Sequence, residues 1–124
     1  MSSSGKLLAT PALVTPITIA TGFALANGTS TIVSYNVPAG GALHNFYIGA
    51  GLNVTSNETG GQLTITTTIG GQAYTITLFA AGLAAALYSA GFIVSCDASA
   101  QIAVKQATAL TVGAASLSVA ISGG

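Results

Sequence analysis

Four side chains of this 124-residue chain carry a full charge at neutral pH: Lys6, Glu58, Asp97 and Lys105. With His44 and Cys96 they are nearly all the chain offers as acid, base, thiol nucleophile or metal ligand, since it has no Arg. Such groups act in company: a nucleophile needs an adjacent base, and a structural metal needs four ligands at short spacings. Glu58 and Asp97 are far apart in sequence, and His44 has no Cys, Asp or Glu at ligand spacing. The expectation is a non-enzyme with no catalytic, cofactor-binding or metal-ligating residue. Each group has a plainer role. Cys96 suits a buried thiol, and as the single cysteine it cannot form an internal disulfide. Asp97 suits a strand end where its carboxylate accepts backbone hydrogen bonds, and Lys6 suits a solvated position. A homotrimer would gather three copies of His44 only if that residue stood on the axis.

Ordinary domains are roughly one quarter charged, whereas this chain is 3% charged, 51% hydrophobic and of zero net charge. The hydrophobic content excludes disorder. Without a basic stripe there is no electrostatic basis for holding nucleic acid or an anionic membrane. A surface so poor in charge must be covered by Thr, Ser, Asn, Gln and Gly, or buried against further copies of the chain. That points to a structural part.

The elements that position these groups follow a period of two. Phe46, Ile48, Ala50, Leu52 and Val54 alternate with Asn45, Tyr47, Gly49, Gly51 and Asn53. Leu63, Ile65 and Ile69 alternate with Gln62, Thr64, Thr66 and Thr68, and Tyr74, Ile76 and Leu78 alternate with Thr75 and Thr77. Gly70-Gly71 between the last two runs signals a hairpin. Further strands are expected at Ile17–Ile19, at Thr31–Val37 (stopped by Pro38), around Phe92–Cys96, at Gln101–Lys105 and at Ser116–Ser122. The alanine- and leucine-rich run Ala80–Ala90 reads as a crossing connection, with room for one or two helical turns.

About eight antiparallel strands, each with one apolar face, must stack as two sheets. The fold expected is therefore all-β, a single-domain β-sandwich or jelly roll over residues 16–124. Residues 1–15 lack the alternation, contain Ser2-Ser3-Ser4-Gly5 and Pro11, and read as an extended N-terminal arm. Residues 6–26 imitate a secretory leader, but Pro11, Pro16 and four threonines interrupt the apolar stretch and argue against cleavage. Residues 76–94 are uncharged and near the length of a spanning helix, yet Gly82, Gly91 and strand-like alternation oppose a membrane span.

Two surface patterns remain. Asn27, Asn53 and Asn57 each begin an Asn-X-Thr triplet, common by chance in a chain of this composition. Thr64, Thr66 and Thr68 with Thr75 and Thr77 form an array that resembles ice-binding faces, although Thr is also an ordinary choice for a solvent-facing strand.

The succession Val37-Pro38-Ala39-Gly40-Gly41, an aromatic strand ending Asn53-Val54-Thr55, Gly60-Gly61, Leu63-Thr64-Ile65-Thr66, the Gly-Gly hairpin, Gly91-Phe92-Ile93-Val94, Ala100-Gln101-Ile102-Ala103-Val104 and a last alternating strand resembles small bacteriophage virion proteins. These are single jelly rolls similar in shape to the tumour-necrosis-factor and C1q folds. The resemblance spans about residues 28–122. It implies a homotrimer serving as capsid cement (a decoration protein) on the shell exterior, with the major capsid protein or another virion protein as partner. Runner-up roles are a fibre or receptor-binding tip and a cellular surface-filament subunit; a threonine-face ice-binding protein is the remote one.

Overall fold

A computed structural model describes residues 16–124. Eight strands follow in chain order: β1 (Pro16–Ala24), β2 (Ser30–Asn36), β3 (Leu43–Gly60), β4 (Leu63–Ile69), β5 (Gln72–Phe79), β6 (Ala86–Asp97), β7 (Gln101–Gln106) and β8 (Leu110–Gly123). They form two four-stranded antiparallel sheets, ordered β1-β8-β3-β6 and β2-β7-β4-β5. Only β4 and β5 are neighbours both in sequence and in a sheet. Every other connection crosses between sheets, which is the strand order of a jelly roll.

Alternation in the sequence becomes the two faces of each sheet. Phe46, Ile48, Leu52 and Val54 of β3 meet Leu63, Ile65, Ile102 and Val104 of the opposite sheet in a single core, with Leu117, Val119 and Ile121 of β8. Tyr35 of β2 and Phe46 cross the gap edge to face, ring centroids 5.7 Å apart, within the favoured range for such pairs. On β4 one core-facing position is polar: Thr67 is buried and donates its hydroxyl to the Ser95 carbonyl at 2.6 Å, stitching β4 to β6.

The hairpin expected at Gly70-Gly71 forms, with Ile69 opposite Gln72. Both glycines have positive φ, 60° and 77°, which a two-residue turn of this hand requires.

The run Ala80–Ala90 crosses between the sheets as expected, from β5 to β6, but only its first part is a connection. No helical turn forms there; residues 80–85 are a loop, and the chain enters β6 at Ala86, well before Phe92. Leu87, Ser89, Gly91 and Ile93 face outward while Tyr88, Ala90, Phe92 and Val94 turn to the core. Strand propensity is low for Ala and Gly, but twelve consecutive pairings with β3 override it. There is no helix among the described residues, and so none long and apolar enough to cross a membrane. The arm expected over residues 1–15 lies outside the described residues.

Candidate functional site

Register places the outward residues of the first sheet in ranks running across its strands. Ile19, Ala120, Gly49 and Gly91 make one rank from β1 to β6. On one side of it stands Pro16, Ser122, Tyr47 and Ile93. On the other come Ser118, Gly51 and Ser89, then Ala24, Ser116, Asn53 and Leu87. No member of these ranks is ionisable at neutral pH. Four apolar side chains rise from this floor: Ile19 is 58% exposed, Tyr47 52%, Leu87 80% and Ile93 82%.

Local packing shapes the face. Gly49 and Gly91 are directly opposite each other on β3 and β6, and the Tyr47 ring lies over both. A Cβ at Gly91 would come within 2.5 Å of the Tyr47 hydroxyl, and one at Gly49 within 3.0 Å of the ring edge. Only glycines leave room for a tyrosine to lie flat on the sheet. Beside the ring is an open depression of about 580 Å³ lined by Pro16, Tyr47, Gly49, Ile93 and Ala120. Two further hollows follow along β3, one at Ile19, Gly51 and Ser118 and one at Asn53, Leu87 and Ser116. Small floor residues flanked by apolar projections form a surface that fits a complementary apolar surface.

The few titratable groups lie elsewhere. Asp97, at the end of β6, accepts hydrogen bonds from the amides of Gly70 (2.9 Å) and Gly71 (2.8 Å), as expected of a strand-end residue. Those amides favour the carboxylate and hold its pKa below the ordinary value. His44 lies between two carbonyls, Nε2 2.9 Å from Gly40 O and Nδ1 3.0 Å from Gly124 O. A neutral imidazole has one N–H and can satisfy only one of them, whereas the imidazolium donates to both, so the Gly40 and Gly124 contacts raise its pKa. The ring is held by its own chain at the sandwich end. Cys96 is fully buried and unpaired.

Glu58 is the anomaly. It is 5% exposed, and neither carboxyl oxygen has a hydrogen-bond partner among the described residues. Its carboxyl, Leu25 and Leu110 converge on the space left open by Gly61. Desolvation pushes its pKa up; the nearby Gly82 amide opposes this but falls short of hydrogen-bond geometry. Around it the loops are tied by Gln106, whose amide nitrogen donates to the carbonyls of Ala26 (2.6 Å) and Thr108 (3.0 Å) and whose oxygen accepts from the Ala26 amide.

Lys105 stands on the other sheet, where the threonine array is wider than the hairpin alone. Thr31, Lys105, Thr64 and Thr77 form one rank across all four strands. Among the described residues no three of His, Cys, Asp and Glu are gathered as a metal set would be. His44 is directly opposite Cys96 across β3 and β6, with Asp97 next in the chain, but among the described residues these groups make no metal set, and the broad outer surface of the first sheet is neutral. Leu87 was hidden in the sequence by the alanine-rich run, while Ile93 lay in the strand expected around Phe92–Cys96, and the outward side of Tyr47-Gly49-Gly51 was the available signal.

No family model matches the chain, and no curated protein matches it. Solved structures do. A structure of infectious bursal disease virus, Gx strain, is similar with a TM-score of 0.52 and 21% identity, over 88% of this chain and 31% of that one. VP2 in the infectious bursal disease virus subviral particle gives 0.49 and 15%, over 83% of this chain and 30% of the other. The chain thus spans less than a third of the length of those it matches. What the similarity to the Gx-strain structure shows is the fold, an all-β sandwich of two antiparallel sheets.

Proposed function

We propose that this protein is a non-enzymatic structural component of a virion, a capsid cement protein that acts as a homotrimer on the shell exterior. The observation that carries the reading is the outer face of β1-β8-β3-β6, which is uncharged across the ranks from Leu87 to Ile93, the carboxylate of Asp97 lying at the end of β6 on the hairpin amides. Burying charge against a partner costs several kcal/mol per ion, and these ranks have none to bury. Ile19, Tyr47, Leu87 and Ile93 instead supply apolar projections and the glycine floor supplies recesses, so copies of the chain can pack through it. The fold it shares with a virus structure is consistent with a place in a virion. Residues 1–15 would reach across neighbouring shell subunits, and the major capsid protein is the partner proposed.

Native mass spectrometry at micromolar concentration tests the assembly. A discrete trimer is expected, with Ile93→Glu shifting it to monomer while the far-ultraviolet spectrum stays that of the same β-sheet. A monomeric parent protein would overturn the reading. One observation favours a filament subunit as the second reading. β6 is a sheet edge that pairs with β3 without a bulge and has neither Pro nor charge from Ala86 to Cys96, whereas free edges are commonly blunted by such devices. Open-ended oligomers in the same measurement would favour the filament.

A further inference from the structure

The outer face of the second sheet carries threonine ranks around one lysine, where the first carries apolar projections on a floor of Gly, Ala and Ser. Lys105 lies between Thr31 of β2 and Thr64 of β4. The next rank is Ser34, Ala103, Thr66 and Thr75. Around Lys105 the surface sinks into an open depression of about 440 Å³, lined by the hydroxyl residues Thr29, Ser30, Thr31, Thr66 and Thr75, with Thr64 buried at its floor. Both described acidic side chains are placed elsewhere: Asp97 holds the hairpin amides, and Glu58 is buried beside Gly61, where Leu25 and Leu110 also converge. No described acid is therefore committed to this ammonium. Gln106 also borders the depression, but its amide is tied to Ala26 and Thr108.

We propose that this depression binds a sugar carrying one anionic group, with the carboxylate or phosphate on Lys105 and the ring hydroxyls on the threonine ranks. A lone ammonium matches one compact negative charge. Threonine hydroxyls both donate and accept, so they can meet a polyol in either sense, while their methyl groups contact the apolar side of a sugar ring. The volume lies in the range of small-molecule sites. A nucleic acid is disfavoured because it would need several cations to neutralise its phosphates. An ice lattice is disfavoured because Lys105 and Ala103 interrupt the hydroxyl pattern. The site stands apart from the self-association proposed above, since it lies on the opposite sheet and stays open when the first sheet is covered.

The test is a titration of the isotope-labelled full chain followed by amide chemical shifts, with D-galacturonate as the probe and D-galactose and inorganic phosphate as controls. Galacturonate should move the Thr64, Thr66 and Lys105 signals. Galactose, and galacturonate with Lys105→Met, should bind more weakly by about tenfold or more, the loss expected for one charge-assisted hydrogen bond. Lys105→Arg should retain binding, and Thr66→Val should weaken it while the remaining spectrum is unchanged. Polygalacturonate distinguishes a surface glycan, which binds as polymer and monomer, from a free sugar acid, which binds as monomer alone. The proposal is overturned if those signals stay still up to about 50 mM probe, a concentration beyond weak but specific affinity. Equal binding of galactose, or of phosphate alone, overturns it too.

Discussion

Among single residues, Glu58 and His44 respond to pH in the same sense for different reasons. Glu58 is a carboxyl whose folded pKa is raised above 4.5 by burial, so the folded state holds its proton more tightly than the unfolded chain does. Its effect on stability is thus most favourable below the ordinary glutamate range and declines as pH climbs through the raised folded value. Glu58→Gln should flatten that decline and raise the melting temperature at pH 8 by about 4 °C, roughly the equivalent of 1 kcal/mol in a domain of this size. For His44 the stabilising contacts to Gly40 and Gly124 are fully present below its ordinary 6.5 and are lost as pH rises through the raised folded value. Its ring signals should therefore titrate above 6.5, with the Gly124 amide moving in step; a midpoint at or below 6.5 would remove the two-carbonyl explanation. Asp97 runs the other way, with stability present above 3.8 and lost as acid protonates the carboxylate at its depressed value. None of these senses follows from residue type alone, because each depends on which backbone groups or apolar neighbours the fold brings near.

Elements differ in how plainly the sequence announces them. Period-two alternation and Gly70-Gly71 specify β3, β4 and β5, because a half-buried strand shows its two faces residue by residue. β6 was obscured, since within Ala86–Gly91 Leu87 lies on the outward side and Tyr88 on the inward one, so the two faces barely differ in hydropathy, and pairing with β3 decides the matter. Two substitutions test these elements. Gly71→Ala should cost about 1 kcal/mol, because φ is +77° there and an L side chain resists that region although the space is open; denaturant unfolding measures it, with Gly71→Asn costing less. Gly91→Ala should leave monomer stability within about 0.5 kcal/mol, as surface changes usually do, because the half-exposed Tyr47 ring can swing aside. In the proposed assembly it should nonetheless weaken the trimer, as the displaced ring would stand proud of the face. An unaltered trimer would place Tyr47 outside the interface.

For the whole molecule, the two outer faces are chemically unlike: one neutral and apolar on glycine, the other hydroxylated around a single lysine. Self-association through the first should be nearly independent of sodium chloride, because screening acts on charges and the ranks from Leu87 to Ile93 have none, Asp97 at the end of β6 being held by the hairpin amides. Sedimentation at low and high salt checks this, and a steep loss of the trimer with salt would relocate the interface. Deletion of residues 1–15 should leave the sandwich folded, because it keeps the described core from Leu25 onward together with Ile17, Ala20 and Phe23 packed against it. If the arm attaches the protein to shells, the truncated trimer should cease to decorate them; normal decoration would put attachment on the body of the protein.

By itself the sequence determined that the chain is all-β, where most strands lie and that few groups could do ionic chemistry. Those properties reside in composition and nearest-neighbour alternation. It also placed Asp97 at a strand end, since a carboxylate there readily meets turn amides. Only the tertiary structure decided that Asp97 meets the amides of the β4–β5 hairpin, that Gly49 and Gly91 lie side by side beneath Tyr47, and that Lys105 sits among threonines of three other strands. It alone showed Glu58 buried beside Gly61, where Leu25 and Leu110 also converge. The reason is topological: nearly every sheet neighbour in a jelly roll is distant in sequence, so what a residue touches across a sheet depends on register, and register is set by packing of the whole core.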